Sequence, residues 1–185
     1  MALGDGERLF VSVEVPHELR ERIAKLAQEL PQDAISPVRP DNMHLTLRFI
    51  GEVPERMAGD IGRRLRGVEF GKFTVRLRGA GVFPDEDYVR VVWAGAESPE
   101  LDALAKKVIE ALRGIGKEEA RGFSAHLTIA RVKRKIDVKE FLQKHSNDEF
   151  GTFEVNEFYL MRSELKPGTP PRYTVVAAFG ARISR

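Results

Sequence analysis

Apolar positions along the chain recur with two periods. Residues 8–15, Arg-Leu-Phe-Val-Ser-Val-Glu-Val, alternate as a strand does. Pro16 then opens a helix whose apolar stripe is Leu19, Ile23, Leu26, Ala27 and Leu30. Pro31, Pro37 and Pro40 break the following stretch into a loop. A strand over about 43–50 stops at Gly51, and a helix begins at Pro54 and runs to about Leu65, weakened by Gly59 and Gly62. Residues 73–78 alternate again, ahead of a turn at Gly79-Ala80-Gly81, an acidic loop at Asp85, Glu86 and Asp87, and a strand over 88–94. Ser98-Pro99-Glu100 combines a capping hydroxyl with proline at the first helical position. The stripe behind it, Leu101, Leu104, Ala105, Val108, Ile109 and Leu112, is the clearest in the chain and ends before Gly114 and Gly116. A strand over about 126–133, a short helix over about 137–144, a strand over 153–161, a turn at 167–171 and a strand over 173–179 complete the pattern.

No long linker or low-complexity segment divides the chain, and the order strand, helix, strand occurs twice. The expected fold class is α+β, with residues 1–185 forming a single domain of two similar, intertwined lobes facing each other across a cleft.

One stretch in each half is nearly the same. His44-Leu45-Thr46-Leu47 and His126-Leu127-Thr128-Ile129 both read His, aliphatic, Thr, aliphatic. Alternation puts His and Thr on one face of a strand and the aliphatic pair on the other. Two of only four histidines carry this pattern; by residue frequencies that coincidence is on the order of one in 10⁵. The other two, His17 near a helix start and His145 after a basic helix, lack such a context and are expected to be solvent-exposed. A catalytic zinc commonly needs three protein ligands including a carboxylate or third His, and neither tetrad supplies an acid, so no metal and no cofactor are expected. Two imidazoles flanking one site suit proton transfer, one accepting while the other donates. Each Thr aims a hydroxyl at an oxygen held between them, an arrangement that fits in-line displacement at phosphorus in a strained cyclic phosphodiester.

Composition narrows this picture little. The chain has 185 residues, 42% hydrophobic and 31% charged, with a formal net charge of only +2, so any preference for nucleic acid must come from a local patch. With no cysteine, disulfides, thiol catalysis and Cys-ligated metals are excluded. No apolar run approaches the roughly 20 residues of a membrane span. The first residues lack the basic and apolar regions of a signal peptide. A soluble cytoplasmic protein without membrane partners is therefore expected, and a monomer.

The tetrads and their surroundings resemble the two-histidine (2H) phosphoesterase superfamily, specifically its LigT-like group of 2′-5′ RNA ligases and RNA 2′,3′-cyclic phosphodiesterases. The likeness covers nearly the whole chain: RLFVSVEVP, HLTLRFIGEV, the VFP and VVWAG segments, HLTIARVK, and a closing strand pair with Arg162-Ser163 and Tyr173. The family often has Pro before the second tetrad, where this chain has Ala125. The resemblance implies a bilobal fold of two pseudo-symmetric antiparallel sheets facing a central cleft, with helices packed outside. It implies RNA ends or nucleotides with a 2′,3′-cyclic phosphate as substrates, opened without metal to a 2′-phosphate, and a reverse activity joining RNA through a 2′-5′ bond. His44 and His126 are then the catalytic pair, with His126 as base and His44 as acid, and Thr46 and Thr128 hold phosphate oxygens.

Arg131 lies five residues after His126, where the family has a substrate-binding Arg, and Phe49 lies five after His44. Strict alternation turns both away from the histidine face, unless each strand ends or bulges after its tetrad. In either case Arg131 and Phe49 bind the nucleotide at the cleft rim; Phe49 otherwise packs in the core. Arg48 falls on the His44 face by parity, where it either adds positive charge near the phosphate or is a solvated sheet residue. The alternatives are another phosphodiester, such as 2′-5′ oligoadenylate or an ADP-ribose cyclic phosphate, or an RNA-end binding and ligation factor with incidental phosphodiesterase activity.

Overall fold

The computed structural model describes residues 6–117 and 122–182. Nine strands, β1 (Gly6–Glu14), β2 (Ile35–Pro37), β3 (His44–Pro54), β4 (Phe73–Phe83), β5 (Val91–Glu97), β6 (His126–Val132), β7 (Glu149–Val155), β8 (Glu157–Glu164) and β9 (Arg172–Gly180), alternate with four helices, α1 (His17–Ala24), α2 (Ala58–Arg66), α3 (Pro99–Ala111) and α4 (Lys139–His145). The α+β class and its antiparallel pairing hold throughout. The strand order is β7-β4-β5-β6-β3-β1-β8-β9, and β2 adds to β6.

Two halves are visible in that order, one ending at β6 and the other at β3. Their strands are paired at Leu45 opposite Leu127. Each is the aliphatic residue just after a tetrad histidine, so the pseudo-twofold axis passes between the tetrads. Leu45, Leu47, Leu127 and Ile129 are at most 1% exposed and lie in one core with Ile23, Leu65, Leu101, Leu104 and Val108 of the helices. The aliphatic face of the sheet is thus sealed by α1, α2 and α3, which leaves the His–Thr face open. Burying each such side chain contributes about 1.5–3 kcal/mol, which ties both strands to the helix layer.

Helix α3 forms as its capping signals predict. Ser98 Oγ accepts from the Leu101 N–H at 3.4 Å, Pro99 occupies the first turn, and the stripe is buried except for Ile109.

Several boundaries differ from the sequence reading. The strand expected to stop at Gly51 runs on to Pro54, because Gly51 adopts φ +85° within a bulge and the pairing with β1 resumes beyond it. Only a 3₁₀ turn, Glu55–Met57, lies between it and α2. The helix expected from Pro16 is regular only to Ala24 and tightens to a 3₁₀ helix over Lys25–Glu29. The expected turn at Gly79–Gly81 is a bulge inside β4, where the indole of Trp93 rests on Gly81; a Cβ there would lie 2.2 Å from the ring. The strand expected over 153–161 is two strands in opposite halves, β7 on β4 and β8 on β1, separated at Asn156. The apolar phase slips there, from Phe153 and Val155 to Phe158 and Leu160 across Asn156-Glu157, a slip that marks the break between the two strands. The prolines of 31–40 do not prevent the short β2, which pairs only at the edge of β6.

His145 is not solvent-exposed but 3% exposed. The last turn of α4 lays its ring 4.7 Å from Phe141, and its two nitrogens face Asp148 at 2.7 Å and Glu29 at 3.0 Å. It joins α4 to the end of the first helical segment. His17 is exposed as expected, 3.6 Å from Glu21.

Candidate active site

Both tetrads begin a strand, and both strands bulge at the same place. On β3, Ser12 pairs with Thr46 and Val11 with Arg48, so Leu47 is the extra residue. On β6, Trp93 pairs with Thr128 and Val92 with Ala130, so Ile129 is the extra residue. Each extra residue shifts the alternation by one, turning the i+5 position back towards the histidine face. The parity conflict for Phe49 and Arg131 is resolved in this way.

The same shift moves Arg48 away from the cleft, against the expectation of a charge near phosphate. Arg48 is 5% exposed and donates to the carbonyls of Ile109 (2.7 Å) and Ile115 (2.8 Å) at the C-terminal end of α3. A buried guanidinium with its N–H groups on helix-end carbonyls is a structural clamp.

A cavity of about 480 Å³ opens where the tetrads meet. His44, Thr46, His126, Thr128 and Arg131 all line it, with Tyr173 and the turn Gly168–Pro171 on another side. Phe49 is not among its lining residues; its ring lies under the Arg8 guanidinium, 4.9 Å away. The two i+5 positions therefore diverge, one in the cavity and one beside it.

The imidazoles are tethered alike. His126 Nδ1 lies 2.8 Å from the carbonyl of Ser124, two residues earlier. A carbonyl only accepts, so Nδ1 carries hydrogen. His44 is held by the backbone of Asn42, again two residues earlier. Their surroundings differ. The His44 ring stacks on Phe10 at 4.7 Å and meets the edge of Tyr173 at 5.2 Å. His126 instead meets Phe83 at 4.9 Å and Trp93 at 6.3 Å.

Burial lowers the His44 pKa to about 4, opposed by the Asn42 hydrogen bond and helped by the nearby charges of Arg131, His126 and Arg20. His44 is therefore neutral at neutral pH. Burial also raises the Tyr173 hydroxyl above its usual range, against the pull of Arg131 and Arg8.

Sequence reasoning missed Asn42. Its backbone holds His44 while its side-chain Nδ2 donates to Pro171 O at 3.0 Å, fastening the turn that walls the cavity. The signal was faint: a polar residue two positions before each tetrad, Asn42 and Ser124. Ser36 and Arg39, which also line the cavity, had no sequence signal because β2 was read as loop.

Among the described residues no cluster of three or more His, Cys, Asp or Glu is placed to hold a metal ion. No helix among them is long and apolar enough to cross a membrane.

Two imidazoles and two threonine hydroxyls turned on one cavity, across a pseudo-twofold axis, define a two-histidine phosphoesterase. The family model of LigT-like phosphoesterases matches residues 13–93 and 95–171, one tetrad in each segment. The chain belongs to that family. It is 41% identical over 166 residues to the RNA 2′,3′-cyclic phosphodiesterase of Archaeoglobus fulgidus, covering 88% of this chain and 94% of that protein. It is 37% identical to the Thermus thermophilus protein of the same name, over 95% of this chain and 90% of that one. The fold is similar to that of E. coli LigT complexed with 3′-AMP, with TM-score 0.80 at 29% identity, covering 95% and 98% of the two chains.

Proposed function

We propose that this protein is an RNA 2′,3′-cyclic phosphodiesterase that opens the cyclic phosphate to a 2′-phosphate by two-histidine acid–base catalysis. The observation that carries the reading is the pair of equally tethered imidazoles on adjacent strands, lining one cavity with Thr46, Thr128 and Arg131. The names of the curated relatives support the substrate class.

In this mechanism the phosphate sits between the histidines. Thr46 and Thr128 donate to its non-bridging oxygens and Arg131 offsets their charge. His126 Nε2 takes the proton from water as the water oxygen bonds to phosphorus. The bond from phosphorus to the ribose 3′-oxygen breaks, and His44 donates a proton to that oxygen. Solvent then returns both histidines to their starting states. The donor role suits His44: its low pKa makes the protonated ring a strong acid, and the anionic substrate favours loading it with the proton that desolvation withholds. The base is then His126, its ring held by the Ser124 carbonyl.

The same displacement with another nucleophile gives a ligase activity. An RNA 5′-hydroxyl in place of water gives its proton to His126, bonds to phosphorus and displaces the same 3′-oxygen, which takes a proton from His44; a 2′-5′ bond is left and no nucleotide cofactor is consumed. A purely RNA-end binding factor would need positive charge more than an acid–base pair, so the enzyme reading is preferred.

The test is incubation with 2′,3′-cyclic nucleotides and cyclic-phosphate RNA in EDTA. Both are expected to open, with the phosphate left on the 2′-oxygen. A requirement for added metal, or no opening of either substrate, overturns the proposal.

A further inference from the structure

The catalytic cavity takes one nucleotide end, yet its basic wall does not stop at the cavity. Arg131 continues directly into Lys133, Arg134 and Lys135, with no acid before Asp137. The pattern around it is constrained: Val132 and Ile136 are buried, while Arg131, Lys133, Arg134 and Lys135 are exposed. Two backbone bonds pin this segment, Val132 N–H to Arg90 O at 2.9 Å and Lys133 N–H to Ala34 O at 2.8 Å. The first brings a second element alongside. Val91 pairs with Arg131, so the residues just before it, Tyr88 and Arg90, flank the basic run.

Tyr88 is 58% exposed, the most exposed large hydrophobic residue among those described, and the Arg90 guanidinium lies 4.8 Å from its ring centre. Together Tyr88, Arg90, Lys133, Arg134 and Lys135 border a small open cleft of about 160 Å³.

An exposed basic run is ordinarily a solvated face, and acids stand nearby. Arg134 is paired with Asp33. Asp85, Glu86 and Asp87 are all exposed on the adjoining loop, with Asp85 Oδ1 accepting from the N–H groups of Asp87 (3.1 Å) and Tyr88 (2.9 Å). Arg90, Lys133 and Lys135 have no carboxylate within salt-bridge distance among the described residues. Three cations without an acid partner, beside an open aromatic face, are what a flexible polyanion with stacking bases recognises.

We propose that this strip, running from Arg131 through Lys133 and Lys135 to the Tyr88–Arg90 pair, is a binding track for the single-stranded RNA that leads up to the terminal cyclic phosphate. The lysines and Arg90 contact its phosphodiesters, and one base stacks on the Tyr88 ring. The track makes the enzyme one that prefers oligonucleotide ends to cyclic mononucleotides. The inference rests on the proposed phosphodiesterase function for its biological meaning, but its physical content is RNA binding.

The test compares Tyr88→Ala, Tyr88→Phe and the double variant Lys133→Glu/Lys135→Glu with the unaltered protein. Their substrates are a short single-stranded RNA ending in a 2′,3′-cyclic phosphate and a 2′,3′-cyclic mononucleotide. Tyr88→Ala is expected to lower kcat/KM on the RNA about tenfold more than on the mononucleotide, the loss of one stacked base, and Tyr88→Phe to restore it. The double variant is expected to make the salt dependence of RNA binding shallower by roughly 0.7 per lost phosphate contact. Equal changes on both substrates, or no change on RNA, overturn the track. If the unaltered protein opens neither substrate, the phosphodiesterase reading fails by itself. Fluorescence anisotropy with the same RNA then decides the track: weakened binding in the variants supports it, and unchanged binding overturns it. Loss of binding in the lysine variant with none in Tyr88→Ala reduces the strip to general polyanion attraction and also overturns it.

Discussion

His44 and His126 begin equivalent strands and are tethered to the backbone two residues back in the same way, yet they sit in different surroundings. His44 is closed in by Phe10 and Tyr173, and burial lowers its pKa to about 4. His126 meets Phe83 and Trp93, and its tether is open to solvent. The residues beyond the tetrads diverge further. After equivalent bulges, Arg48 and Phe49 follow in one half and Ala130 and Arg131 in the other. Duplication repeats the backbone and the placement of the imidazoles; the neighbours that pack around them give each half its own task.

The largest expected effect tests what the halves share. His44→Ala and His126→Ala should each lower turnover of cyclic-phosphate RNA by about 10²–10⁴, the usual worth of a positioned acid or base. Circular dichroism should show the fold retained. Near-normal turnover in either variant would break the equivalence of the two halves.

The remaining predictions probe where the halves differ. Arg48→Met should lower stability by about 2–3 kcal/mol in urea denaturation, because it leaves the carbonyls of Ile109 and Ile115 without their buried charged donor. A neutral result would mean that water satisfies those carbonyls equally well. Arg131→Ala should raise KM for a cyclic mononucleotide about tenfold, the loss of one charge-assisted contact. Phe49→Ala should leave that KM nearly unchanged and cost roughly 1–2 kcal/mol of stability instead. If the two effects were exchanged, Phe49 would be the substrate contact and Arg131 a surface charge.

The smallest effect is a titration. An NMR titration of the free protein should put the His44 midpoint near 4, and a bound phosphate should raise it. The sign for stability follows from linkage. Between about pH 6.5 and 4 the unfolded chain gains a proton on His44 that the folded chain does not, so stability falls as pH falls through that window. The difference between the unaltered protein and His44→Ala isolates this contribution from the other groups that titrate there. A midpoint near 6.5 in the free protein would mean that Phe10 and Tyr173 do not desolvate the His44 ring.

Most of the site was legible in the sequence because its signal is local. A tetrad displays its histidine and threonine on one face and its aliphatic pair on the other whatever the rest of the chain does, and two copies imply one shared site. The cap of α3 at Ser98 and the α+β class were legible for the same reason. What escaped depends on partners distant in sequence. The bulges at Leu47 and Ile129 exist only in register with β1 and β5, and they decide that Arg48 clamps a helix while Arg131 reaches the cavity. The break at Asn156 shows in the sequence only as a one-residue slip of the apolar phase, and strand pairing alone reveals that β7 and β8 serve opposite halves. His145 stands in a basic, polar stretch, and it is buried because Phe141, Asp148 and Glu29 converge on it. The sequence by itself determined that His44 and Thr46, and likewise His126 and Thr128, share the open face of their strands, since alternation settles that within each tetrad. The tertiary structure decided their proton affinities and their neighbours, because desolvation and strand register arise only when the two halves meet.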